Sequence, residues 1–125
     1  MDYRGAMTTT TAAPPTYDDV EVVVPAPGDG PGNWAGAASA VLVDGVTWLT
    51  WRVRRPLTDG RGVSVVVARS TDGVTFEPVT EVSREAFGAE SFERPVLVPL
   101  PGGRTRYYVE AARPDGAHDL VTCVR

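Results

Sequence analysis

Few side chains in this sequence are equipped for covalent chemistry, and those few lack partners at catalytic spacing. Cys123 is the only cysteine, so neither an internal disulfide nor a cysteine-based metal site can form. It sits in an apolar run, where a free thiol packs as a small hydrophobe. His118 is the only histidine and follows a turn, which places it at the surface with no metal-ligating neighbour. Gly28-Asp29-Gly30 lacks the strand before and the helix after that a dinucleotide fingerprint requires. A serine nucleophile elbow and a metal-ligand cluster are also missing, so no cofactor is expected. What the chain does offer is 16 carboxylates against 12 basic residues, every one of them arginine. The planar guanidinium suits bidentate contact with a carboxylate or with sugar hydroxyls. Trp48 and Trp51 have opposite parity along one strand, so they face opposite sides and read as core residues.

The charges are interspersed and sum to −4, without the basic patch or stripe of a nucleic-acid or membrane surface. Met1–Pro15 has no apolar targeting segment, and no run approaches the ~20 apolar residues of a membrane span. The expectation is a cytoplasmic protein with neither nucleic-acid nor membrane partners.

The elements that position these residues are strands. Residues 1–16 are rich in Thr, Ala and Pro and read as a disordered leader, with Met7 an alternative start. Val20–Val24 reads as a short extended segment, closed by the Pro/Gly stretch Pro25–Gly32. Strands are then expected at Ser39–Val43, Val46–Val53, Val63–Ala68 and Val74–Val79. Turns at Asp44-Gly45, Asp59–Gly62 and Asp72-Gly73 join them. Val63–Ala68 is a continuous run of the kind buried on both faces. Only Arg84–Glu90 suits a brief helical turn.

An internal repeat organises the chain. Val41-Leu42-Val43, an aromatic strand and Arg55-Pro56 recur as Val96-Leu97-Val98, Tyr107-Tyr108-Val109 and Arg113-Pro114. Asp59-Gly60 matches Asp115-Gly116, and the strand ending at Arg69 matches one ending at Arg125. The period is about 55–58 residues, slightly longer than the ~40–50 of common propeller blades. The expected fold is all-β: antiparallel four-stranded blades of a β-propeller, about two of them, incomplete. Residues 1–32 form the leader, and the blades cover about 33–82 and 93–125. On this reading the second blade lacks its outer strand, which leaves an open edge available for self-association.

The segment from Val63 to Pro78 resembles the third-to-fourth strand hairpin of the five-bladed propeller glycosidases of glycoside hydrolase families 43, 32 and 130. There an apolar strand ends in A-x-S-x-D-G-x-x-F/W, matched here by Ala68, Ser70, Asp72, Gly73 and Phe76. This motif is mechanical: Ser70 and Asp72 bond the turn backbone, Gly73 supplies a positive φ, and Phe76 packs beneath. The segment Glu90–Val109 is similar to the opening of a following blade, with Glu93-Arg94-Pro95 at the start of an inner strand. The resemblance implies a truncated N-terminal part of such a propeller that hydrolyses or binds carbohydrate. It implies Glu93 as the catalytic carboxylate, with Arg94, Glu90, Trp34 and Asn33 as substrate contacts. The first blade departs from the pattern: Asn33–Ala40 holds no carboxylate where these families place an Asp. Since glycoside hydrolysis generally uses two carboxylates, a non-catalytic carbohydrate-binding module, or a structural immunoglobulin-like sandwich, is the alternative.

Overall fold

A computed structural model describes residues 13–124. Seven strands make two antiparallel sheets in chain order. The first contains β1 (Trp34–Val43), β2 (Val46–Arg54), β3 (Gly62–Ser70) and β4 (Glu77–Ser83). The second contains β5 (Ser91–Pro99), β6 (Thr105–Ala112) and β7 (His118–Val124). Single 3-10 turns occur at Tyr17–Asp19, Leu57–Asp59 and Arg84–Phe87, and the described residues contain no α-helix. The fold is thus all-β, with one four-stranded blade and one incomplete blade. Each sheet is a plain meander, whereas an immunoglobulin-like sandwich would exchange strands between sheets through Greek-key connections.

Alternation along β2 assigns its two faces. Trp48 packs between the sheets with Val67, Leu97 and Tyr107. Trp51 turns the other way, into a cluster with Val66 and Ala68. Strand β3 is therefore covered on both sides. Its Val65 joins Phe92, Val109 and Ala111 in the inter-sheet core, while Val66 and Ala68 close the outer face. Full burial of each such side chain contributes roughly 1.5–3 kcal/mol. Phe92 is completely buried and meets Phe87 edge-on, with ring centroids 5.7 Å apart.

The first strand starts at Trp34 rather than Ser39, and two further readings need correction. The fourth strand begins at Glu77 rather than Val74, because the Asp72 carboxylate accepts the N–H groups of Val74 and Thr75 at 2.8 Å each. Those donors are consumed by the turn before a ladder can start. Val20–Val24 lies outside both sheets, and its Val24 packs against the Trp51 cluster and roofs the outer face of the first sheet. The repeat slips by one residue at its last strand. Val67 faces the second sheet and Cys123, its match by sequence, faces the first, and a one-residue offset reverses every side chain. Residues 1–12 of the leader, including Met7, and the strand end at Arg125 lie outside the described residues.

The hairpin motif behaves as its chemistry requires. The Ser70 hydroxyl accepts the N–H of Gly73 at 2.9 Å and donates to the Asp72 carboxylate at 2.8 Å. Gly73 takes φ 77°, and Phe76 packs onto the Trp51 cluster.

Candidate functional site

The site grows from a matched irregularity. The first strand of each sheet carries a bulge near its start, between Gly36 and Ser39 in β1 and between Phe92 and Pro95 in β5. Two residues stand inside each bulge: Ala37 and Ala38 in the first sheet, Glu93 and Arg94 in the second. Bulges re-aim side chains, and here the one in β5 turns Glu93 towards the first sheet while buried Phe92 anchors the strand.

Glu93 meets Arg52 of β2 in an ion pair. The Arg52 side chain is only 7% exposed and that of Glu93 18%. Nη1 of Arg52 also donates to the carbonyl of Phe92 at 3.1 Å. On the far side, the Ser91 hydroxyl donates to Glu93 at 3.1 Å and accepts the N–H of Gly62 at 3.1 Å. Gly62 is essential to this closeness, since a Cβ there would stand 2.0 Å from the Phe92 carbonyl oxygen. Burial pushes the Arg52 guanidinium below its usual value; Glu93 opposes that shift, and neighbouring Arg54 and Arg61 add to it. Nε of Arg52 and Nε of Arg54 are buried without a hydrogen-bond partner.

The Arg52 guanidinium sits 4.5 Å from the centroid of the Trp34 ring, and that of Arg54 sits 5.5 Å away. Such cation–π contacts are worth about 0.5–2 kcal/mol each. The indole also lies against Gly36, where a Cβ would come within 2.5 Å of Cζ3. One ring face is therefore committed to arginine and is closed to a sugar.

These groups border an open cleft of about 620 Å³. Of the residues expected from sequence, Glu93, Arg94 and Trp34 line it. Asn33 is engaged elsewhere: its amide donates to the Asp29 carbonyl at 2.8 Å and its side-chain oxygen accepts from Arg55 at 3.2 Å. It ties down the Pro/Gly loop. Glu90 is exposed outside the cleft, and its backbone joins β5 to β6 through the Ala112 carbonyl at 2.8 Å. The cleft also contains Ala37, Arg52, Arg61 and Glu110, which sequence reasoning passed over, and His118, which it read only as a surface histidine. His118 is exposed as expected, yet its imidazole pairs with the Glu110 carboxylate. Arg52 shares its parity with Trp48 and Thr50, a signal that it faces the second sheet. The remaining four come together only through the packing of the sheets.

Two carboxylates thus share the cleft, Glu93 and Glu110. Each is engaged by a side chain of the cleft, Glu93 by Arg52 and Glu110 by His118, and Glu93 also accepts from buried Ser91. A similar hollow of about 610 Å³ adjoins the hairpin of Ser70 and Asp72, but there the polar groups are spent on the turn.

No family model matches the chain, nor does any curated protein. Solved structures do match. The GH43_1 enzyme from Xanthomonas citri complexed with xylotriose superposes with a TM-score of 0.60 at 20% identity. The GH43_1 enzyme from Xanthomonas citri complexed with xylose gives 0.58 at 17%. Each match covers 73% of this chain, which spans 28% of the length of the enzyme chain. At this identity the likeness is one of fold, a GH43-like propeller.

Proposed function

We propose that the cleft between the bulged starts of β1 and β5 binds carbohydrate, as the sugar-binding part of a glycoside-hydrolase-like propeller. The observation that carries this reading is the placement of Glu93 and Arg94 together in the β5 bulge. From there they border an open cleft, within a fold shared with enzymes solved bound to xylose and xylotriose. Arginine and carboxylate groups of this kind orient sugar hydroxyls by hydrogen bonding.

Binding without hydrolysis fits the chain's own residues better than catalysis does. Hydrolysis uses a pair of carboxylates flanking the scissile bond. Glu93 and Glu110 are instead held by their neighbours, and alanines occupy the bulge of the first sheet. Calorimetric titration with xylo-oligosaccharides tests the reading: a saturable heat that Arg94→Ala weakens supports it, and flat heats across neutral and acidic glycans overturn it. Turnover of aryl-glycosides that is lost in Glu93→Gln would restore catalysis.

An interaction module is the second reading. Val96, Val98, Leu120 and Val124 of the second sheet are 38% to 73% exposed, and such a patch favours association.

A further inference from the structure

The charges of the cleft run against those of the chain. The whole sequence carries −4, yet the cleft gathers Arg52, Arg61 and Arg94 against Glu93 and Glu110. Glu93 is already ion-paired with Arg52, and the Glu110 carboxylate is engaged by the His118 imidazole. Arg61 and Arg94 make no ion pair or side-chain hydrogen bond among the described residues, and both are exposed. The backbone conformation at Arg61 is also an uncommon one. Arg61 sits at φ 60° and Ala37, across the cleft, at φ 52°, two of only three described non-glycine residues at positive φ. Asp44, the third, and Arg61 lie in the connections that follow β1 and β2, and Ala37 in the bulge of β1. Side chains held in that region are strained, and such strain concentrates where a group must be aimed.

We infer that the ligand is an acidic carbohydrate, whose carboxylate is received by the guanidinium groups of Arg61 and Arg94. This rests on the carbohydrate reading above and narrows it from sugars in general to uronic-acid-bearing oligosaccharides. A neutral sugar leaves Arg61 and Arg94 without an ion-pair partner in the cleft. A carboxylate on the sugar satisfies them with charge-assisted, bidentate bonds. Complementary charge of this kind also speeds encounter and weakens as salt is added.

The test is calorimetric titration of the full chain, at low and at physiological salt, with three probes. These are a neutral xylo-oligosaccharide, the same oligosaccharide bearing one glucuronic acid, and acetate as a simple carboxylate. The acidic oligosaccharide is expected to bind at least tenfold tighter than the neutral one. That advantage should shrink with salt and vanish in the double variant Arg61→Gln, Arg94→Gln, whose thermal melting confirms folding. Equal affinity for neutral and acidic oligosaccharides, or an advantage that survives the double variant, overturns this inference and leaves the carbohydrate reading standing. Acetate binding as tightly as the sugar acid also overturns it, because the site is then a plain anion site. Flat heats with both oligosaccharides overturn the two readings together.

Discussion

Arg52 of the first sheet and Glu93 of the second meet as an ion pair where the two sheets converge. Around that pair, the Phe92 carbonyl, the Ser91 hydroxyl and the Trp34 ring satisfy much of what burial would otherwise leave exposed as cost. The pair therefore serves the joint between sheets as well as the cleft beside it. Breaking one half leaves a charge with nothing to balance it. Glu93→Gln is expected to destabilise the fold by about 3 kcal/mol, measured by urea unfolding. Arg52→Met combined with Glu93→Leu should recover most of that loss, since an apolar pair of similar volume replaces two desolvated ions.

Gly62 gives a sharper prediction. A methyl group there collides with backbone rather than with a side chain that can move. Gly62→Ala should cost about 3 kcal/mol and open the joint, seen as faster hydrogen exchange at Ser91 and Phe92. Gly62 is not among the positive-φ glycines, so the cost there is steric; Gly45→Ala, whose Cβ meets nothing at φ 77°, shows the separate cost of left-handed strain.

Acid should act through two exposed turns. The N–H groups of Thr75 and Val74, with the Ser70 hydroxyl, hold Asp72 at about 2, below its ordinary 3.8. The Ser83 hydroxyl, with Arg84, holds Glu85 at about 2, below 4.5. A carboxyl group depressed on folding adds stability above its unfolded value and loses it as pH falls through its folded one. Stability is therefore expected to decline from about pH 4.5 to about pH 2. Asp72→Asn should flatten the lower part of that decline in thermal melts recorded across this range.

The bare face of the second sheet predicts association. Leu120 is 73% exposed and lies on the edge strand β7, beside Glu110 of β6. Wild-type chain should shift to larger species as concentration rises in size-exclusion chromatography, and Leu120→Glu should suppress the shift. A monodisperse wild type across a hundredfold range of concentration would contradict this.

The strands were legible because turns punctuate them. Asp44-Gly45 and Asp72-Gly73 fall between the strands they were expected to separate, Asp59–Gly62 runs into the first residue of β3, and Arg84–Phe87 forms the expected short helical turn. The parity of Trp48 and Trp51 correctly divided them between two faces. Strand ends were less legible. The start of β4 depends on which donors the Asp72 side chain removes, and the slip at β7 depends on loop lengths between pairs of strands. The cleft was half legible. Glu93 and Arg94 stand out as a charged pair beside a proline, but Arg61, Glu110 and His118 belong to three separate elements. Their meeting is a property of how the sheets pack, which no local pattern records. Trp34 lines the cleft as its type suggested, but the Arg52 guanidinium over its ring is a contact that no local pattern announces.

The segment ending at Val24 has a further consequence. By roofing the Trp51 cluster it makes the two ends of the stack unlike, one shingled over and one bare. Another sheet, whether from the same polypeptide or from a second molecule, finds unroofed apolar ground beyond β5–β7, at Val96, Val98, Leu120 and Val124. Growth of the stack therefore has a direction. A ring built from such sheets would have its seam at the shingle, where closure requires that short strip of chain to lift away.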